Sequence, residues 1–239
     1  MDHLTALADL QQQFLETAGR ADPATPIPWL EPWTAEQLVV HVARIHHWAA
    51  AQARCEEHAS LGRGPFDAPR LYAECATELR AALAELDPDA PAWTLLDDDA
   101  PEGGRPAPRG AVRFWHRRQL HETLVHLWDL RAAIGEDVDA APETWLDCLD
   151  EAVAIMHPRQ LRLGRVPPPA ARVVFDPAEG DASLALAGAP DGAAEIVIAG
   201  PAKSLALLAW GRLRIEGAGN EVRGDRALAA AVLGAGLTP

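Results

Sequence analysis

The stretch FWHRRQLHETLVHLWDL, residues 114–130, constrains this chain more than any other. It has strong helical character. Trp115, Arg118, Glu122, His126 and Asp129 follow one another at helical spacing, so they share one face. A bundle helix should bury apolar residues on that face. Ionisable groups there are costly unless they are paired or hold a metal. Glu122 and His126 stand four apart and stack a carboxylate on an imidazole. His41 lies in a second helical stretch, LVVHVARIHHWAA, and offers a third ligand from a facing helix. Two His and one Glu leave a fourth position open, as in catalytic rather than closed structural zinc sites. Asp129 or Arg118 would orient the ligands from behind.

Blander readings fit the same residues. On spacing alone, E-x3-H also describes a solvated surface pair, and His41 a satisfied core histidine. His46, His47, His116 and His121 are out of phase with the polar face and read as surface or packing residues. Trp33, Trp48, Trp115 and Trp128 read as core, and Cys55 and Cys75 as small apolar fillers.

The rest of the chain places this helix in a bundle. Residues 3–18 carry Leu4, Leu7, Leu10 and Phe14 on one helical face. A Pro-rich connector covers 23–32. Thr34 and Gln37 then form a capping box for a helix running to about 58. Pro65 and Pro69 precede a helix over 70–86, followed by a long polar loop over 87–110 with Asp97-Asp98-Asp99 and Gly103-Gly104. The fourth helix spans about 111–133 and stops at Gly135. A fifth starts near Pro142, a favoured first-turn residue, and ends around Pro158 or Leu163. Pro167-Pro168-Pro169 reads as a linker. After it the period shortens. Arg172–Phe175, Ser183–Leu186 and Ala194–Ile198 read as strands, Pro201–Trp210 and Arg226–Leu233 as helices. The expected fold is therefore α+β in two domains, a helical bundle over 1–163 and a small α+β domain over 171–239.

Composition narrows the partners. The net charge of −14 argues against nucleic acid or an anionic membrane. No apolar run reaches about 18 residues, and the polar start MDHLTALADLQQQ is no signal peptide. Three cysteines without a CxxC support neither a disulfide framework nor a zinc knuckle, so a cytoplasmic protein is expected.

With these residues in place the chain resembles the mycothiol-dependent maleylpyruvate isomerase family, whose N-terminal domain is a DinB-like, up-down metal-binding helical bundle. The resemblance rests on PWTAEQLVVHVA at 32–43, FWHRRQLHETLVHLWDLRAA at 114–133 and GPAKSLALLAWGRL at 200–213. It implies that His41, Glu122 and His126 hold Zn2+ or another divalent metal, and that the second domain is sterol-carrier-like. It also places Arg212 on an arginine implicated in activity. Arg212 is thus the candidate catalytic residue, and with Arg118 a candidate contact to the thiol cofactor. Read structurally, Arg212 is a helix-end arginine serving the last carbonyls.

The implied chemistry uses mycothiol. A metal held by two neutral His and one Glu stays cationic and stabilises a thiolate. The thiolate adds to the alkene of maleylpyruvate, the new single bond rotates, and elimination yields the trans isomer. None of the three cysteines lies in the metal motif, so the thiol is external. The alternatives are a mycothiol S-transferase acting on another small-molecule electrophile, and a non-enzymatic zinc-dependent regulator. Neither nucleic acid nor membrane is an expected partner, and a monomer or a homodimer is expected.

Overall fold

The computed structural model describes residues 1–97, 107–216 and 219–239. Much of the polar loop expected over 87–110, including Asp98, Asp99, Gly103 and Gly104, lies outside the described residues. The chain divides into two compact units, Met1–Val138 and Asp139–Pro239.

The first unit is a bundle of α1 (His3–Arg20), α2 (Ala35–Ala53), α3 (Ala68–Glu85) and α4 (Arg113–Ala133). Each of the first three begins at a side-chain cap. Asp2 caps α1, Thr34 with Gln37 closes a capping box on α2, and Asp67 caps α3. α1 packs on α4 and α3, and α2 on α3 and α4. Leu7, Leu10 and Phe14 of α1 are buried, each contributing roughly 1.5–3 kcal/mol. The Phe14 and Tyr72 rings lie 4.5 Å apart. α4 differs from its neighbours: from Trp115 to Leu130 every residue but Arg117 is buried, polar residues included. Short strands β1 (Pro91–Ala92) and β2 (Gly110–Ala111) pair antiparallel ahead of α4.

Two helix ends show how far sequence signals reach. α4 ends as expected, with Gly135 at φ +77° and the Glu136 N–H returning to the Arg131 carbonyl. α2 ends at Ala53, short of the expected 58. There Cys55 adopts φ +56°, and Glu56 N–H returns to Ala51 O at 2.9 Å. This is the same cap built on a residue that rarely supplies it.

The second unit opens with α5 (Pro142–Glu151), a π-helical turn (Ala152–Met156) and α6 (His157–Arg162). The π turn has a local cause. The Pro158 ring would clash with the Ala154 carbonyl in a regular helix, and the His157 N–H reaches back to Ala152 instead. A four-stranded sheet follows in the order β4-β3-β5-β6. β3 (Arg172–Pro177) is parallel to β5 (Glu195–Gly200). β4 (Leu184–Ala185) and β6 (Glu221–Arg223) are antiparallel edges, and β6 has no counterpart in the sequence reading. Val173, Phe175, Ile196 and Ile198 are fully buried, the period-two signature of a sheet face. α7 (Ala202–Ala209) packs on α5 and against β3 and β5, and α8 (Arg226–Gly234) closes the unit. The outcome is the expected α+β class.

Candidate metal centre

α2 and α4 bring together the three side chains that the sequence singled out. Glu122 Oε1 lies 3.6 Å from His41 Nε2 and 3.3 Å from His126 Nε2, and the three atoms all lie within 4.8 Å of one another. Ligands bonded at 2.0–2.1 Å to a tetrahedral ion stand about 3.3–3.4 Å apart. The His126 edge on Glu122 matches that spacing, the His41 edge is somewhat longer, and the donor set of two imidazoles and a carboxylate suits a divalent ion.

The helix itself explains the geometry. Arg118, Glu122, His126 and Asp129 form one continuous stripe on α4. Arg118 Nη2 donates to Glu122 Oε2. Glu122 Oε1 faces His126 Nε2, and His126 Nδ1 donates to Asp129 Oδ2 at 2.9 Å. With its Nδ1 hydrogen engaged, His126 presents the Nε2 lone pair towards Glu122 and His41. All four are buried, Asp129 completely. His41 is half-buried. Its ring stands edge-on to His126 at 5.3 Å and to Trp33 at 4.8 Å. Trp33, read from sequence as core, is half-buried beside His41. It lies between the Pro-rich connector and the Thr34 cap, where no periodicity points to it.

Electrostatics agree with the geometry. Burial by itself would push the Glu122 carboxyl up. The Arg118 guanidinium and the two histidines outweigh it and hold Glu122 well below the usual carboxylate range. Burial disfavours a charged His126 too, but the Glu122 carboxylate and the Asp129 hydrogen bond raise its pKa above the ordinary histidine value. The cluster draws positive charge. Trp115, expected on the same face, is fully buried. It packs edge-on against Trp48 at 5.1 Å, and its indole N–H donates to the Trp93 carbonyl.

The out-of-phase histidines resolve as packing rather than surface for three of four: His46, His116 and His121 are buried. His47 is half-buried and bonds Glu78 at 2.7 Å. Cys75 is buried, with its thiol pushed up to about 11 by burial and by nearby Glu78 and Glu74. Cys55 sits at the α2 end.

Arg212 lies in the second unit, just past α7. Gly211 takes φ +71°, the Arg212 N–H returns to Leu207 O, and the buried Arg212 Nη1 donates to the Trp210 carbonyl at 2.7 Å. Among the described residues no helix is long and apolar enough to cross a membrane.

A helical bundle whose facing helices converge a His–Glu–His set, joined to a small α+β unit, defines a class of two-domain proteins suited to a divalent ion. Residues 4–131 match the mycothiol maleylpyruvate isomerase N-terminal domain, and residues 143–231 match the MDMPI C-terminal domain. The chain belongs to this family of enzymes. Two solved structures share its fold. One is a histidine-to-alanine mutant of the mycothiol-dependent maleylpyruvate isomerase, 15% identical with a TM-score of 0.65, covering 92% of this chain and 91% of that chain. The other is the mycothiol-dependent maleylpyruvate isomerase, 16% identical with a TM-score of 0.60 and 88% of each chain covered. The chain matches no curated protein.

Proposed function

We propose that this protein is a zinc-dependent, mycothiol-dependent cis–trans isomerase of the maleylpyruvate isomerase type. The observation that carries the reading is the convergence of His41 Nε2, Glu122 Oε1 and His126 Nε2 in a chain that matches the family over both units. These three atoms would hold the ion. A divalent ion so held supplies Lewis acidity that keeps a thiol deprotonated at neutral pH.

The chain's own residues do the rest. Asp129 holds the His126 tautomer that leaves Nε2 free to ligate, and Arg118 holds Glu122 ionised. Arg212 binds a carboxylate of the substrate or of the thiol through its planar fork. No cysteine belongs to the cluster, in keeping with a thiol supplied as a small molecule. The electrophile is a small, acidic, conjugated alkene, and catalysis takes place in the cytoplasm.

The test is turnover of maleylpyruvate by the purified chain with and without mycothiol, alongside metal analysis. The reading expects one divalent ion per chain and thiol-dependent formation of the trans product. Substitution of an electrophile by the thiol, with no isomerisation, would replace it by an S-transferase.

A further inference from the structure

We infer that Arg118 is a positioning residue that sets the charge of the metal centre, holding Glu122 to a single ligand oxygen and offsetting its negative charge so that the bound ion favours an anion at its open position. This rests on the reading of His41, Glu122 and His126 as ligands.

The two oxygens of Glu122 have different partners. Oε1 faces His41 Nε2 at 3.6 Å and His126 Nε2 at 3.3 Å. Oε2 accepts from Arg118 Nη2. A guanidinium stays protonated at any working pH, so Oε2 is engaged whenever the protein is folded. A carboxylate free on both sides can turn and chelate an ion with both oxygens, donating more negative charge. Here that rotation would break a charge-assisted hydrogen bond in a buried setting. Both side chains are buried, so solvent does little to screen the guanidinium from the ion.

The charges around the ion follow from this arrangement. Two neutral imidazoles bring none. The Glu122 charge is offset by Arg118, and the Asp129 charge sits behind the His126 ring, bonded to its far nitrogen. With Arg118 in place the ion therefore keeps more of its positive charge than the same ligands and Asp129 would leave it without the guanidinium. An anionic fourth ligand, such as a thiolate, gains from that charge, whereas a neutral ligand gains little. An ordinary i,i+4 ion pair would stabilise α4 without this selectivity.

Co2+ loaded into the full chain reports on the open position through its visible absorption. Azide serves as the anionic probe and imidazole as the neutral one. In Arg118→Met the azide affinity should fall about tenfold or more while imidazole affinity changes less than about threefold, with one Co2+ per chain retained. Arg118→Lys keeps the charge and should hold azide within a few-fold of wild type.

Unchanged azide affinity in Arg118→Met overturns the inference. So does equal weakening of both probes, which marks a structural role. A Lys variant as weak as the Met variant, or loss of the metal from Arg118→Met, also overturns it, because charge would then not be what the residue supplies. If the wild-type chain takes up no Co2+ at all, the ligand assignment itself fails and this inference falls with it. That outcome is distinct from a loaded wild type whose variants show no selectivity.

Discussion

α2 and α4 meet across two polar pairings built from similar residues. In one, His41 faces Glu122 and His126. In the other, five residues further along α2, His46 Nδ1 bonds Gln119 Oε1 at 2.8 Å. His126 and His46 are both buried, yet their chemistry diverges. Burial pushes the His46 pKa down to about 4, against the pull of Gln119 and Glu122. For His126 the carboxylates of Glu122 and Asp129 outweigh burial and raise it. Among the described residues His46 Nε2 and Gln119 Nε2 are buried without a hydrogen-bond partner. Burial alone therefore does not make an imidazole a ligand. What distinguishes His126 is the pair of carboxylates around its ring, Glu122 at Nε2 and Asp129 at Nδ1.

The strongest way to break this contrast is His126→Ala. Metal content should fall below one ion per chain and thiol-dependent turnover by about a thousandfold or more. Full metal and full activity in this variant would remove the basis for separating the two clusters.

Arg212→Ala lies outside both clusters and separates chemistry from metal binding. Metal content should stay unchanged, since arginine does not ligate zinc. Loss of a charge-assisted bidentate contact should cost about 2–4 kcal/mol, roughly 30- to 1000-fold in kcat/KM. Arg212→Lys should restore only part. A wild-type rate in Arg212→Ala would leave its bond to the Trp210 carbonyl as its role.

Asp129→Asn sharpens the contrast from behind the His126 ring. It keeps an acceptor for His126 Nδ1 but removes the charge, and metal affinity, read by competition with a chelator, should drop about 10- to 100-fold. In the wild type, metal affinity should weaken on acidification from a pH above the ordinary histidine value of about 6.5, because the raised His126 pKa lets a proton compete early. Affinity that is flat from pH 8 to 6 would contradict this.

The smallest effect belongs to the second pairing. His46→Leu should leave metal stoichiometry intact and destabilise the fold by about 1–3 kcal/mol, because Gln119 loses its partner. Adding Gln119→Leu should recover most of that loss in urea denaturation. The sign of the pH effect follows from the lowered His46 pKa. The unfolded chain binds a proton near pH 6.5, the folded one only near 4. His46 therefore costs no stability above pH 6.5, and roughly 3 kcal/mol is lost as pH falls towards 4. His116 and His157, also lowered first of all by burial, add to the same acid limb. His46→Leu should flatten only its own share. An unaltered acid limb would place His46 outside the titrating core.

The legible parts of this chain were those with local signals. The capping box at Thr34, Gly135 at the α4 end and the Glu122–His126 spacing all act within one or two helical turns. What sequence could not supply depends on partners elsewhere. His116 and His121 read as out of phase because α4 is buried on nearly every side, so no single face defines its interior. Cys55 ends α2 in a conformation its side chain does not favour, and nothing in its letter signals it. β6 spans three residues and exists through its pairing with β5. Pro167-Pro168-Pro169 reads as the break in the chain, whereas α5 packs on α7 and falls in the compact unit that starts at Asp139.

Anomalous diffraction from zinc-loaded crystals of the full chain would locate the ion relative to His41, Glu122 and His126. One zinc peak per chain is expected, bonded at about 2.0–2.2 Å to His41 Nε2, Glu122 Oε1 and His126 Nε2. A zinc-replete crystal with its peak elsewhere, or with no density between these three atoms, would contradict that expectation.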